Sequence, residues 1–338
     1  MKISASLKLL FIVFLLGLPL LYAWSEYQRF LNTPIQTSVD EETIFTIQPG
    51  DNLSRISQRL FQEGLSPTPS IYLDLYGRYQ GTANQIKAGE YAISSGTTLP
   101  ALLQQFVDGK VVQYGLTIVE GMTAQQLLLK VRQHPKIVTT EELADLPAVA
   151  AALNLPDDHA EGWFLPETYK FPAGTTDIQF LRRAYLNMQS ELDSAWSERS
   201  DDLPYDSPYE ALIMASIIEK ETGVPEERDE ISGVFVRRLE KGMRLQTDPT
   251  VIYGMGESYD GNIRRKDLRT DTLYNTYTRH GLPPTPICLP SKEAIHAALH
   301  PKDGEYLFFV ATGEEGRHKF SKTYSEHNKA VRKYQLNR

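Results

Sequence analysis

The chain reads as an α+β protein: an N-terminal transmembrane helix, a small α/β module, then a mainly helical region. Three observations predict this. Leu9 to Trp24 is an apolar run without a charge. A strand-turn-helix pattern over residues 45–61 recurs over 116–131. From residue 177 onward helical spacing dominates, with one apolar strand at Tyr306–Ala311. At 338 residues the chain is too long for one ordinary core, so more than one domain is expected. With 23% charged and 41% hydrophobic residues it has a folded composition, and a net charge of −8 argues against nucleic acid as a partner.

The apolar run follows Lys2 and Lys8 and closes on Tyr22 and Trp24, as at a membrane interface. It is short against the about 20 residues a spanning helix needs, but Lys8 can snorkel. Basic residues before the segment place the rest of the chain outside the cytoplasm. The rival reading is a cleaved signal peptide, but small residues at a cleavage point are missing around Tyr22-Ala23-Trp24.

Residues 25–42 are polar without a strong period and read as a linker. Phe45-Thr46-Ile47 is a β-branched strand, Gln48-Pro49-Gly50-Asp51 a turn, and Leu53, Ile56, Leu60 and Phe61 fall at helical spacing. Ile86 to Tyr91 is a turn entering another strand. Leu116-Thr117-Ile118-Val119-Glu120-Gly121 repeats the first strand and turn, and Leu127, Leu128 and Val131 mark the helix after it. Duplication and chance similarity both account for that repeat. Thr140-Glu141-Glu142-Leu143 is a capped start, and Ala148 to Leu153 favours helix. Aromatics and Pro break the pattern at Glu161–Tyr169. A long helix from Asp177 to Arg199 sets Phe180, Leu181, Ala184, Met188 and Leu192 on one side. Lys319 to Lys333 reads as a basic, solvated helical tail.

The helix from Pro208 to Thr222 carries the chemistry. Asp206 or Ser207 caps its start, and Gly223 with Pro225 ends it. Glu221 shares a stripe with Ile217 and Ile213 and lies one turn beyond Ile218 and Met214, so it is the carboxylate aimed inward. An apolar setting and the negative helix end both hold a carboxyl in its protonated form, as a general acid requires. The bland alternative is a solvated residue at a frayed terminus. Glu219 and Lys220 read as surface charge.

Downstream, Gln246, Thr247, Asp248 and Thr250 crowd hydrogen-bonding groups around Pro249, and Asn275 sits between Tyr274 and Tyr277. Pro283-Pro284 stiffens the next loop. Amides, carboxylates and aromatic faces are what a sugar requires, although Asp-Pro and Pro-Pro also form turns anywhere, and Asp248 can simply cap a helix. The lone Cys288 excludes an intramolecular disulfide, and no Cys/His cluster has zinc spacing. G-x-S-x-G, S-x-x-K, H-E-x-x-H and phosphate-binding glycine loops are absent from the sequence.

Taken together, these motifs resemble the MltG (YceG-like) endolytic murein transglycosylases: Glu161-Gly162-Trp163-Phe164-Leu165-Pro166, Met214 to Thr222, Gly242 to Thr250, Tyr274-Asn275-Thr276-Tyr277 and Gly281-Leu282-Pro283-Pro284. The resemblance covers nearly everything after the anchor. Gln48 to Leu53 is similar, more loosely, to the opening of a LysM glycan-binding module.

What the resemblance implies is a cytoplasmic tip and transmembrane helix over 1–24, a linker over 25–42, a LysM-like domain over 43–115 and a lysozyme-like catalytic domain over 116–338. It implies Glu221 as the catalytic residue, Gln246, Asp248, Thr250, Asn275 and Tyr277 as substrate-binding candidates, and no metal or cofactor. The expected substrate is peptidoglycan glycan strands, cut between N-acetylmuramic acid and N-acetylglucosamine to leave a 1,6-anhydro end. The expected site of action is the outer side of the inner membrane, with peptidoglycan synthases as possible partners. Two rivals stay open: a water-using muramidase with Asp248 or Glu219 as second carboxylate, and a membrane-tethered glycan-binding scaffold without catalysis.

Overall fold

The structure is a computed structural model that describes residues 5–35, 43–156 and 159–336. The chain divides into two units. One comprises Met1–Tyr114 with Pro172–Gly174, the other Gly115–Phe171 with Thr175–Arg338.

In the first unit, helix α1 runs over Ala5–Asn32 with Pro19 inside it. Among the described residues no helix is long and apolar enough to cross a membrane. The side chains of residues 5–13, 15 and 16, among them the first part of the apolar run, lie outside those described, and so does the tip at 1–4. The helix continues eight residues past Trp24, into what the sequence suggests is a linker, because Phe30 and then Ile35 are buried in the module's core. Residues 36–42, the rest of that linker, are outside the described residues.

Strand β1 (Thr43–Ile47) buries alternate residues, Phe45 and Ile47, as period-two alternation requires. Asn52 caps α2 (Leu53–Gln62) by accepting from the Arg55 N–H, and that helix buries Leu53, Ile56 and Leu60. Helix α3 (Ser70–Tyr79) packs on α2, and strand β2 (Gly89–Ile93) returns antiparallel to β1. Helix α4 (Leu99–Asp108) closes the core with Leu102, Leu103 and Phe106. Gly109 ends it in the left-handed conformation, φ 72°.

The chain passes into the second unit along β3 (Gln113–Thr117). Thr123 and Gln126 form a capping box on α5 (Ala124–Arg132), so the strand-turn-helix order of β1 and α2 does recur. Strand β4 (Ile137–Val138) precedes a short 3-10 turn at Glu141–Leu143 and α6 (Leu146–Leu153). Asp145 starts α6, accepting from the Ala148 N–H, with Pro147 in the first turn. Strands β5 (Thr168–Pro172) and β6 (Thr175–Thr176) lead into α7 (Asp177–Ser197). β5 pairs with β3 and β6 lies parallel to β4. Thr176 and Gln179 box the start of α7, which buries Phe180, Leu181, Ala184, Met188 and Leu192.

Helix α8 (Pro208–Glu221) is capped by Ser207 and buries every residue from Ala211 to Ile218. It is the axis of the unit. Helix α9 (Arg228–Glu240) packs on it, α10 (Asp248–Met255) touches it, and α11 (Lys292–Leu299) lies most extensively against it. The chain ends with a hairpin, β7 (Phe308–Ala311) and β8 (His318–Ser321), and α12 (Tyr324–Val331). The basic tail is therefore part strand and part helix, and α12 packs on both strands instead of standing alone in solvent.

Glu161-Gly162-Trp163 also packs against this axis. Gly162 has φ 86°, and a Cβ there would lie 2.5 Å from Cγ of Pro286, so only glycine fits. Trp163 stacks on Tyr209 of α8 with centroids 5.6 Å apart.

Candidate active site

Glu221 ends α8, where Thr222 leaves the helix in an extended conformation. The residue is half-buried, and it lines a cleft of about 470 Å³. Its carboxyl Oε1 accepts a hydrogen bond from the Thr247 hydroxyl. Burial pushes the carboxyl up to about 7; the nearby Asp248 charge adds to the rise, while the Thr247 bond and Arg238 oppose it. A group that ionises near neutral pH is suited to give up a proton and take one back.

The loop from Leu245 to Asp248 forms one side of the cleft. Gln246 is exposed there in the left-handed conformation, φ 52°, with its N–H bonded to the Thr276 carbonyl. The Thr247 N–H donates to the Thr276 hydroxyl, which fixes the hydroxyl of Thr247 over Glu221. Asp248 opens α10 and accepts from the Tyr277 hydroxyl at 2.6 Å. Gln246, Asp248 and Tyr277 all line the cleft with Glu221.

Thr250 and Asn275 are placed differently. Both are fully buried. The Thr250 hydroxyl bonds the Thr247 carbonyl and the Thr276 hydroxyl. Asn275 donates to the carbonyls of Asp267 and Thr270 and accepts from the Tyr277 N–H. Their polar atoms hold the loops that carry Thr247 and Tyr277, and neither lines the cleft. Glu219 is no free surface charge, because its Oε2 accepts from both the N–H and the hydroxyl of Ser291, the N-cap of α11.

Two contributors are not among the catalytic and substrate-binding candidates, although Thr247 belongs to the polar loop around Pro249. Thr247 is the hydroxyl on the carboxyl. Arg238 of α9 is buried, and its guanidinium donates to the carbonyls of Leu245 at 2.6 Å and Leu307 at 2.7 Å. It thereby ties the Gln246 loop to the base of the hairpin, and it also faces the ring of Phe308 at 5.2 Å. A third buried group, Glu161, is pushed up to about 7, chiefly by burial. Its oxygens accept from the Ala124 N–H and the Tyr253 hydroxyl, so it anchors the start of α5 to α10 away from the cleft.

A YceG-like family profile matches residues 45–333. The chain belongs to the YceG-like family. A Bacillus subtilis relative, named endolytic murein transglycosylase, is 31% identical over 326 residues, covering 91% of this chain and 89% of its own. A Streptococcus pneumoniae protein of the same name is 28% identical over 363 residues, 96% of this chain and 65% of its own length. Among solved structures, a YceG-like protein from Listeria monocytogenes superposes with a TM-score of 0.53 at 31% identity, over 86% of this chain and 99% of that one. The profile takes in the cleft-lining residues from Glu221 to Val331 of α12.

In this YceG-like chain Thr247 can be tested separately from the fold, because its backbone carries the loop bonds and its hydroxyl only the carboxyl. Thr247→Val removes a bond that favours the ionised carboxylate. The expected result is an alkaline limb of the activity profile displaced to higher pH, with turnover roughly tenfold lower because the carboxyl loses its orientation. A pH–rate series on parent and variant measures both; an unmoved limb would mean the hydroxyl does not act on Glu221.

Proposed function

We propose that this protein is a membrane-anchored endolytic murein transglycosylase with Glu221 as its single acid and base. The observation that carries the reading is one carboxyl, pushed up to about 7, at the edge of a cleft rimmed by amide, carboxylate and aromatic groups. The names of the relatives point the same way.

Protonated Glu221 gives its proton to the glycosidic oxygen as the bond from that oxygen to C1 of N-acetylmuramic acid breaks. N-acetylglucosamine leaves with a new hydroxyl. The C6 hydroxyl of the muramic acid attacks its own C1 and returns its proton to the Glu221 carboxylate, which closes the 1,6-anhydro ring. The nucleophile is part of the substrate, so high effective molarity replaces a bound water. A water-using muramidase would need a second carboxylate. Glu219 is engaged by Ser291 and Asp248 by Tyr277, which weighs against that reading.

The β1-α2-α3-β2 order of the first unit, with its antiparallel strand pair, suits a LysM-like glycan-binding module. Exposed Phe14, Leu18, Leu20 and Leu21 on α1 support an anchor, with the catalytic unit on the outer side of the inner membrane and within reach of peptidoglycan synthases. The experiment starts from washed membranes, where an anchored chain is retained against salt and released by detergent. The detergent-solubilised full chain is then incubated with purified murein, and the fragments are weighed. Transglycosylation gives fragments lighter than hydrolytic ones by one water. Reducing-end fragments select the muramidase, and no fragments select a binding scaffold.

A further inference from the structure

The cleft has a second wall that the chemistry above does not use. It consists of β7, β8 and the exposed edge of α12. Three rings cluster there: Phe308 stacks on His327 with centroids 5.3 Å apart, and Tyr324 lies 5.9 Å from Phe308 and 6.3 Å from His327. Phe308 and His327 are half-buried, whereas Tyr324 is 65% exposed. Its backbone is fixed, because Thr323 and Glu326 form a capping box around the first turn of α12.

The wall is anchored by side chains of the same unit. Arg238 holds the Leu307 carbonyl, and Glu227 accepts from the N–H and the ring Nδ1 of His318, at 2.8 Å for the latter. Glu227 lies only six residues beyond Glu221, so the same stretch of chain carries both the carboxyl and the hairpin's anchor. Asp248 and Tyr277 line the same cleft, and their carboxylate and hydroxyl suit the polar rim of a sugar ring. An exposed aromatic ring suits its apolar face. Cutting within a strand requires sugar units to be held on both sides of the broken bond, and the cleft that holds Glu221 is lined by this aromatic cluster as well as by Asp248 and Tyr277.

We propose that Tyr324, backed by Phe308 and His327, is a saccharide subsite that stacks on an N-acetylated aminosugar adjacent to the bond at Glu221. This rests on the murein-cleaving reading. Stacking on a sugar away from the reacting atoms is felt alike in ground and transition states, so its loss raises KM with little change in kcat.

The test uses the full chain and soluble glycan oligomers of alternating N-acetylglucosamine and N-acetylmuramic acid. Tyr324→Ala should raise KM by roughly three- to tenfold with kcat nearly unchanged, and Tyr324→Phe should restore it. In the Glu221→Gln background, calorimetry should show a matching rise in Kd for the Ala variant. The side chain is mostly in solvent, so melting should stay with the parent's. Parental KM and Kd in Tyr324→Ala, while the parent cleaves murein, would overturn the subsite and leave the murein reading standing. No cleavage by the parent would overturn that reading and the subsite with it.

Discussion

Glu221→Gln is expected to lower turnover on murein by roughly a thousandfold or more, since in the proposed mechanism one residue supplies both the acid and the base step. The amide keeps the shape of the protonated carboxyl and still accepts from the Thr247 hydroxyl, so glycan binding should persist. Stability gives an independent check. The carboxyl is raised from an ordinary 4.5 to about 7 by folding, so the folded chain holds a proton that the unfolded chain gives up. The stability this group contributes is complete below about 4.5 and is lost as pH climbs to about 7. Glutamine does not ionise. The variant should therefore melt with the parent at pH 4 and above it at pH 8, as measured by calorimetry at both. Equal melting at pH 8 would mean that folding does not raise this carboxyl.

Arg238→Ala is expected to destabilise the second unit by roughly 2 to 5 kcal/mol, the cost of stranding two carbonyls that shared one buried donor. Those carbonyls belong to Leu245, one residue before the Gln246 loop, and to Leu307, at the base of β7. Both walls of the cleft lose their common tie, so activity should fall by more than the population unfolded explains. Arg238→Lys keeps the charge near Glu221 but has no fork to reach both oxygens. It should lie between parent and alanine in denaturant unfolding. A lysine variant as stable as the parent would show that the fork is unnecessary.

The sequence makes α8 and its terminal carboxylate legible because a capped helix with an unbroken apolar face sets Glu221 on the buried stripe; the same pattern does not show that Glu219 is held by Ser291. Helix α7 is legible through its five-residue apolar stripe, although the capping box of Thr176 and Gln179 is seen only in the structure. What local pattern does not carry is the wall of the cleft. Arg238 meets Leu307 across 69 residues of chain, and Thr247 meets Glu221 across 26; neither bond leaves a period or a turn signal. The basic run from Lys319 looks solvated because its charges dominate, yet Ser321 and Ala330 are buried and draw β8 and α12 onto the unit. Thr250 and Asn275 attract notice as polar residues in crowded loops, but crowding by itself does not separate a group that meets a ligand from one that holds the loop. The polar stretch after Trp24 reads as a linker because two buried side chains, Phe30 and Ile35, are too few to set a period.

The most direct measurement is a carbon-13 NMR titration of the glutamate side-chain carboxyls in the full chain, with the Glu221→Gln spectrum assigning the signal that disappears. A midpoint for Glu221 near 7 is expected, coincident with the alkaline limb of murein cleavage. A midpoint at the ordinary 4.5 would leave the carboxyl ionised when the enzyme works and would contradict its role as the acid.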